Sequence, residues 1–313
     1  MNLQQIRILR ETVRRNFNLT EAAQALATSQ SGLSRHIKDL EYELGVEIFV
    51  RHGKRFLGLT EAGREILVHA ERILTDADNI RRVASQLRSA DQGVLVVATT
   101  HTQARYALQP AVAAFRREFP RVKLTLHQTS PTGILNMLLE GRADIGVSTE
   151  KVADHPDVAA FPYYRWRHAV IAPRGHELEG TKRLTLAELA RWPIITYHEG
   201  FTGRGMIDRV FAEAGERPEI VMEALDADVI KDYVALGVGV GIVASMAVRQ
   251  PDERLAALDG GHLFDESTAH IAIRRGRYMR GFAYRFLEIC RPELREDAVR
   301  TEMAPALATA EIV

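Results

Sequence analysis

Hydrophobic residues recur at helical spacing through the first 45 residues. The pattern predicts three helices: the second is capped at Thr20, and the third runs from about Gln30 until Gly45 ends it. The core positions expected on the first and third helices are Leu3, Ile6, Leu9, Val13, Leu33, Ile37, Leu40 and Leu44. β-Forming residues around Gly53 then predict a two-stranded wing. Residues 1–60 are therefore expected to form an all-α winged helix-turn-helix.

Residues 61–90 follow a different pattern. Seven apolar residues are spaced alternately by four and three positions, as in a coiled-coil seam. They are Ile66, Ala70, Ile73, Ala77, Ile80, Ala84 and Leu87. The alternative is a long helix packed on its own domain. Because no glycine or proline interrupts the seam and its outer face is charged, we expect a dimerising linker helix roughly 40 Å long at about 1.5 Å per residue.

From Gly93 onward, predicted strands alternate with predicted helices. This βαβαβ order is typical of a parallel sheet with crossover helices, and a second such unit begins at about residue 168. A strand at 270–275 and a helix at 280–290 resemble a late return to the first lobe. We expect a two-lobed α/β domain over 91–292, like the periplasmic binding proteins, with lobe one at 91–163 and 268–292 and lobe two at 164–267. Residues 293–313 are weakly patterned and are expected to form a tail that is either a loose helix or disordered.

Composition excludes several classes of protein. The 313 residues include 41 basic and 41 acidic residues, so net charge indicates no partner. A single cysteine, Cys290, excludes an internal disulfide and a cysteine zinc cluster. The polar start is unlike a signal peptide, and no apolar run approaches the roughly 20 residues of a membrane helix. A cytoplasmic protein with no membrane partner is expected.

The third helix carries the chemistry of a DNA-reading element. Residues 1–60 contain nine basic and six acidic residues in a chain of zero net charge. Glutamine and arginine can pair bidentately with adenine and guanine in the major groove, and basic residues on a wing would meet phosphates. The candidate DNA contacts are Ser29, Gln30, Ser31, Ser34, Arg35 and Lys38 on the helix, and Arg51, Lys54 and Arg55 on the wing.

The stretch "LTEAAQALATSQSGLSRHIKDLEYELGVEIFVR" resembles the N-terminal winged helix of LysR-type transcriptional regulators. The resemblance covers nearly the whole chain. It implies binding to double-stranded DNA, a homodimer or homotetramer, a small effector in the two-lobed domain, and RNA polymerase as a further partner. One departure is visible, because Ser31 stands where many members carry proline.

A second set of polar residues lies at predicted strand-to-helix joints. In open α/β sheets such joints bind ligands, because helix N-termini present free N–H groups there. The candidate effector contacts are Thr100, Thr102, Gln103, Ser130, Thr149 and Thr202. One such residue alone is usually a helix cap, but six at successive joints favour a site. No lysine lies among them and Arg204 is the nearest guanidinium, which suits an anion held by neutral donors.

Three stretches, "TTHTQARYAL", "GFTGR" and "DADVIK…LGVGVGIVASMAV", resemble the CysB-like branch of the family. This resemblance implies control of sulfur assimilation and cysteine biosynthesis by a sulfate-like anion or an acetylated serine, held by the six residues above. His198 and Glu199 depart from the less polar neighbours expected there. The alternative is a LysR-type regulator of organosulfur or other catabolic genes with a different anionic effector.

An enzyme is disfavoured. The sequence contains no G-x-S-x-G or H-E-x-x-H motif, and "GVGVG" follows a predicted helix, the reverse of a dinucleotide loop. His101 has no second ligand nearby in sequence, so a hydrogen-bonding role is expected and no metal or cofactor is predicted. A free-standing anion-binding protein would be exported and would lack a DNA-binding domain. This chain instead starts unlike a signal peptide and has a predicted DNA-binding domain.

Overall fold

The computed structural model describes residues 1–53, 55–88, 91–149, 152–201 and 203–303. They belong to two compact units, one spanning Met1–Ser85 and the other beginning at Gln86. None of the described helices combines the length and the apolar composition needed to cross a bilayer.

The first unit is a winged helix-turn-helix followed by a long helix. Its elements are α1 (Leu3–Arg14), α2 (Leu19–Ala25), α3 (Gln30–Leu44), β1 (Phe49–His52), β2 (Arg55–Leu59) and α4 (Glu61–Arg88). Helices α1 to α3 bury Leu9, Ala22, Leu33 and Ile37 in one core, and β1 pairs antiparallel with β2. The three predicted helices and the wing are confirmed.

The ends of these helices differ from the sequence-based expectation. Asn18, not Thr20, caps α2, because the Asn18 carboxamide accepts hydrogen bonds from the backbone N–H groups of Thr20 and Glu21 at 3.1 and 3.2 Å. Asparagine is among the best N-cap residues, so the helix begins one residue before Thr20. Leu3 and Leu44 are exposed, since each lies at a helix end beyond the reach of the core.

The apolar seam of α4 divides into two parts. Ile66 and Ala70 pack against the winged-helix core, so the alternative of packing on the chain's own domain holds for this first part. Farther along, Ile80 and Leu87 are 70% and 84% exposed. Within the described part of the chain, the second half of the seam is left as an exposed apolar strip.

The second unit contains two five-stranded sheets. Its strands are β3 (Gly93–Thr99), β4 (Val122–Gln128), β5 (Ile145–Ser148), β6 (Val158–Trp166), β7 (His168–Pro173), β8 (Ile194–Tyr197), β9 (Ile220–Ala224), β10 (Val240–Ala244), β11 (Leu255–Leu258) and β12 (Ser267–Arg274). Its helices are α5 (Gln109–Glu118), α6 (Pro131–Leu139), α7 (Leu186–Leu189), α8 (Arg204–Glu213), α9 (Ala227–Ala235), α10 (Gly281–Cys290) and α11 (Glu296–Glu302).

Each sheet has a parallel part extended by antiparallel strands. The order in lobe one is β4-β3-β5-β12-β6, with β3 parallel to β4 and β5, and β12 antiparallel to β5 and β6. The order in lobe two is β11-β7-β10-β8-β9, with β8 parallel to β9 and β10. The two-lobed α/β architecture is confirmed. Strand β7, expected to begin a second parallel unit, instead pairs antiparallel with β10 and β11, and strands β6 and β11 were not predicted.

The chain crosses between the lobes at slightly different positions from those predicted. Strand β6 continues in lobe one through Trp166, and β12 begins there at Ser267, so residues 164–166 and 267 belong to lobe one rather than lobe two. The sequence obscured β6 because Pro162 interrupts it. That proline is tolerated because β6 is an edge strand and its register shifts beside the pair His270–Pro162.

The structure places a helix in the expected tail, at α11, but residues 293–303 are packed rather than loose. Leu294, Val299 and Met303 are buried in the core of lobe one, and the Gly276 N–H donates to the Met303 carbonyl at 3.0 Å. The short helix α11 is therefore part of the domain, because its Val299 and the flanking Leu294 and Met303 are buried. The rest of the predicted tail lies outside the described residues.

Candidate nucleic-acid interface and effector cleft

The start of α3 presents the predicted DNA-reading residues. Ser29 is the N-cap, and its hydroxyl accepts a hydrogen bond from the Gly32 N–H at 3.1 Å. The Ser31 hydroxyl lies 3.2 Å from that of Ser29. The serine that replaces the family's proline therefore leaves the helix start intact, because Ser29 supplies the cap.

One face of α3 is buried and the opposite face is open. Leu33, Ile37 and Leu40 have at most 1% exposure, which holds the helix in the core. The residues on the other face are Gln30, Ser31, Arg35 and Lys38, all exposed, and Ser34, which is half-buried. This arrangement places the helix's amide, hydroxyl and cationic groups on one accessible surface.

The wing differs from the expectation at Arg51. Its guanidinium forms an ion pair with Glu41 on α3 and lies 4.8 Å from the centre of the Phe56 ring. Glu41 also accepts hydrogen bonds from the backbone N–H groups of Ile48 and Phe49. Arg51 thus connects the wing to α3 through its ion pair with Glu41. Arg55 is exposed, and Lys54 lies outside the described residues.

Three of the predicted effector contacts lie at one edge of lobe one. Thr100, Ser130 and Thr149 follow β3, β4 and β5, which are neighbouring parallel strands. The Thr129 N–H donates to the Thr99 carbonyl at 2.9 Å, which ties the first two loops together. The structure therefore brings these residues to the same sheet edge. Thr202 lies outside the described residues.

The segment after β3 is buried but rich in polar atoms. Thr100 is 4% exposed, and Thr102 and Gln103 are fully buried. The Thr100 hydroxyl and the Gln103 amide nitrogen have no hydrogen-bond partner among the residues that the structure describes. A buried polar group without a partner costs about 1–3 kcal/mol. These atoms are therefore suited to binding a ligand that supplies acceptors.

The backbone of this segment is not a regular α-helix. Residues Gln103–Ala107 form a π-helical turn before α5. Single π-helical turns occur frequently at functional sites. The turn gives the segment a course that helical spacing did not indicate.

Two aromatic residues that sequence reasoning missed complete this part of the cleft. The Tyr164 hydroxyl donates to the Gln103 amide oxygen, and the Trp166 indole N–H donates to the Thr149 hydroxyl at 3.3 Å. Both aromatic residues lie on β6, the strand that the pattern did not reveal. The cluster Tyr163, Tyr164 and Trp166 was the signal available in the sequence.

Lobe two contributes Tyr197 at the end of β8. Its side chain is fully buried, and its hydroxyl accepts a hydrogen bond from the Ala244 N–H at 2.9 Å. Burial raises the pKa of Tyr197, against the opposing effect of the nearby Ala244 N–H and Thr102 hydroxyl. Tyr197 is thus a neutral phenol beside Thr102.

Arg204, the guanidinium that the sequence analysis singled out, is already engaged. Arg204 is buried and donates to the Tyr197 carbonyl at 2.6 Å, to Asp208 at 2.7 Å and to Glu223 at 2.5 Å. All three partners belong to lobe two. Arg204 is therefore engaged within lobe two, and binding of an anion by neutral donors stays a prediction.

His101 has carboxylate neighbours that its position in the sequence did not indicate. Its Nδ1 atom lies 4.0 Å from Asp226, which caps α9, and Asp228 lies nearby. Asp228 accepts a hydrogen bond from the Tyr106 hydroxyl at 2.5 Å and lies 3.6 Å from the Arg105 guanidinium. Since these partners already balance Asp228, the group favours an ion-pair bridge between the lobes over a cation site.

Two family profiles match the chain. The profile described as "Bacterial regulatory helix-turn-helix protein, lysR family" matches residues 3–64, and "LysR substrate binding domain" matches residues 88–295. Together they cover both units of the structure.

Curated relatives match over nearly their full length. The chain is 54% identical to "HTH-type transcriptional regulator SsuR" of Burkholderia cenocepacia, over 95% of this chain and 96% of that protein. It is 49% identical to "HTH-type transcriptional regulator cbl" of Escherichia coli (97% and 96%). It is 48% identical to "HTH-type transcriptional regulator CysB" of Burkholderia cenocepacia (94% of each).

Two solved structures are similar to the chain. The cofactor-binding domain of the Cbl transcriptional regulator is 46% identical, with a TM-score of 0.64, over 68% of this chain and 94% of that one. Full-length CbnR, solved in complex with its target DNA, is 23% identical, with a TM-score of 0.56, over 93% of this chain and 99% of that one. The second likeness concerns the fold alone.

Proposed function

The chain belongs to the LysR family of transcriptional regulators, and we propose that it controls genes of sulfur assimilation and cysteine biosynthesis. The similarity to regulators named SsuR, Cbl and CysB along nearly the whole chain supports this proposal. So do the three stretches that resemble the CysB-like branch. The relatives are regulators rather than enzymes, in keeping with the absence of catalytic motifs.

The proposed effector is a small anion, either a sulfate-like ion or an acetylated serine, bound between the lobes. The observation that carries this proposal is the pair of buried donors, the Thr100 hydroxyl and the Gln103 amide, that lack partners among the described residues. The proposed contacts are Thr100, Thr102, Gln103, Ser130, Thr149 and Thr202. Because Arg204 is committed to lobe two, neutral donors would carry the binding.

The proposed DNA contacts lie on the open face of α3 and on the wing. In a dimer formed through the exposed half of the α4 seam, two copies of α3 would reach successive major grooves about one DNA turn apart, or a multiple of it. The apolar residues Ile73, Ile80 and Leu87 are exposed in the single chain and support this pairing. A tetramer of two such pairs, contact with RNA polymerase and a cytoplasmic location complete the proposal.

Calorimetric titration of the full-length protein tests the effector. Sulfate, thiosulfate, O-acetylserine and N-acetylserine would be titrated into the wild type and into Thr100→Val, which keeps the shape but removes the hydroxyl. We expect at least one ligand to bind the wild type and to lose affinity in the variant. Binding of none of the four would favour a regulator of organosulfur or other catabolic genes with a different anionic effector.

A further inference from the structure

We propose that Tyr164 is a positioning residue that makes the cleft select oxyanions without a proton. Its hydroxyl fixes the Gln103 side chain so that only the amide N–H₂ group is offered to the ligand. This inference rests on the proposed function, because it concerns the ligand preference of the same cleft.

The Gln103 side chain could by itself offer either end of its amide. A carboxamide has an oxygen that accepts hydrogen bonds and a nitrogen that donates them, and the two ends differ little in shape. Here the oxygen accepts the Tyr164 hydroxyl proton, and the nitrogen has no partner among the described residues. Since Gln103 is fully buried, water cannot satisfy a flipped amide, and the contact with Tyr164 decides the orientation.

Tyr164 is itself held firmly. Its ring packs edge-to-face against Tyr163, with ring centres 5.0 Å apart, and its hydroxyl lies 3.9 Å from the Met246 sulfur. Burial raises the pKa of Tyr164, so the hydroxyl keeps its proton at neutral pH. The Met246 sulfur is only a weak hydrogen-bond acceptor. The protonated Tyr164 hydroxyl therefore donates to the stronger acceptor that it contacts, the Gln103 amide oxygen.

The same polarity recurs at two other candidate contacts. The Thr149 hydroxyl accepts the Trp166 indole N–H, and the Ser130 hydroxyl accepts the Gly133 N–H at 3.1 Å. A hydroxyl that already accepts a hydrogen bond from the protein still has its own proton to donate. Tyr164 thus turns the amphoteric Gln103 side chain into a donor toward the cleft, and Thr149 and Ser130 each keep a proton that they can donate.

A lining of donors distinguishes anions by their protons. Sulfate carries no proton at neutral pH, so each of its oxygens can accept. Hydrogen phosphate has the same charge and nearly the same shape but keeps one hydroxyl, which needs an acceptor. Where that hydroxyl faces the Gln103 amide nitrogen, it would stay unpaired and would face the amide protons.

The test compares monofluorophosphate with hydrogen phosphate at pH 8. Both are mainly dianions there, and they differ in that fluorine replaces the hydroxyl. Sulfate, monofluorophosphate and phosphate would be titrated calorimetrically into full-length wild type, Tyr164→Phe and the matched control Tyr163→Phe. The Tyr163 hydroxyl lies 3.4 Å from the Ala107 carbonyl and does not contact Gln103 in the described structure.

We expect the wild type to bind sulfate and monofluorophosphate with similar affinity and phosphate on the order of tenfold more weakly, because the hydroxyl is left unpaired. In Tyr164→Phe the amide can turn and offer its oxygen, so the ratio of monofluorophosphate to phosphate affinity should fall toward one. Tyr163→Phe should keep the wild-type ratio. A purely structural role of Tyr164 would weaken all three anions together and leave the ratio unchanged.

The outcomes separate this inference from the proposed function. An unchanged ratio in folded Tyr164→Phe would overturn the role of Tyr164 while the anion site stands. If that variant does not fold, equal wild-type affinity for the two phosphate probes overturns the inference, and a preference of the expected size supports it. Binding of an acetylserine but of no tetrahedral anion overturns the inference alone. Binding of no anion at all would remove the proposed function as well.

Discussion

The DNA-reading face and the effector cleft solve the recognition of anions in opposite ways. On α3 the candidate contacts are exposed, and cations are prominent among them, as in Arg35 and Lys38. In the cleft the candidate contacts are neutral, and Thr100, Thr102 and Gln103 are buried. A polyanion in water is attracted by mobile surface charge, whereas a small ion removed from water needs every oxygen paired with a donor held in place.

Salt should separate the two regions by the largest margin. Neutralising six to ten phosphates would lower DNA affinity roughly 10³- to 10⁵-fold between 50 and 200 mM salt. Effector affinity should change little, because its donors are neutral. Fluorescence anisotropy with operator DNA and calorimetry with the effector, each at several salt concentrations, measure the two slopes. Equal slopes would contradict the comparison.

Removing a buried donor should affect the cleft alone. Thr100→Val is expected to cost about 1–3 kcal/mol of effector binding, because an anion oxygen would lose its partner. DNA affinity without effector should be unchanged in a gel-shift titration. Thr132→Val, an exposed threonine of the same lobe, is the matched control and should bind effector normally. Unaltered effector affinity in Thr100→Val would remove that residue from the site.

Removing one base-reading group should affect specificity rather than attraction to DNA. Gln30→Ala is expected to lose about 1–3 kcal/mol of discrimination against a mutated operator, while binding to unrelated DNA persists. Competition gel shifts with operator and unrelated duplexes measure this, and Gln24→Ala on α2 serves as the exposed glutamine control. Full discrimination in Gln30→Ala would show that Gln30 does not read a base.

The two arginines of the wing, Arg51 and Arg55, should differ in role: the first in stability and the second in DNA binding. Arg51→Met is expected to lower the free energy of unfolding by about 1–3 kcal/mol, because Glu41 would lose a charged hydrogen-bond partner. Arg55→Met should leave stability unchanged and weaken DNA binding, since Arg55 is exposed. Thermal melts and anisotropy on both variants distinguish the roles, and the reverse pattern would contradict the assignment of Arg51 to the wing's attachment.

The smallest effect concerns pH and the cleft-side His270. Burial lowers the pKa of His270, against the opposing effect of backbone hydrogen bonds at Thr149 and Thr268. The unfolded chain therefore binds a proton more readily than the folded one, and stability should fall as the pH drops below about 6.5. Urea melts at pH 7.5 and 5.5 should show a smaller difference for His270→Gln than for the wild type. If the change in unfolding free energy between the two pH values is the same in both proteins, His270 does not contribute to the pH dependence.

The sequence alone was informative where structure depends on neighbours in the chain. Helices α1 to α3, the turn before Ser29 and the wing all follow from local spacing, caps and a Gly45 C-cap with φ of +68°. The strand ends that carry Thr100, Ser130 and Thr149 were also predictable, since hydroxyl residues follow apolar strands and parallel strands share an edge. Local periodicity failed at β6, where Pro162 breaks the pattern, and in the tail, where the buried Leu294, Val299 and Met303 have no clear repeat.

What the sequence by itself determined is thus the class of the protein, and it predicted a reading helix and a set of cleft residues. The tertiary structure alone decided how the predicted cleft residues point. Tyr164 reaches Gln103 across 61 positions of sequence, and Tyr106 reaches Asp228 across 122. Such pairs depend on strand order and lobe crossing, which place distant segments side by side. The spacing of apolar residues within one segment does not indicate which distant segment will pack against it.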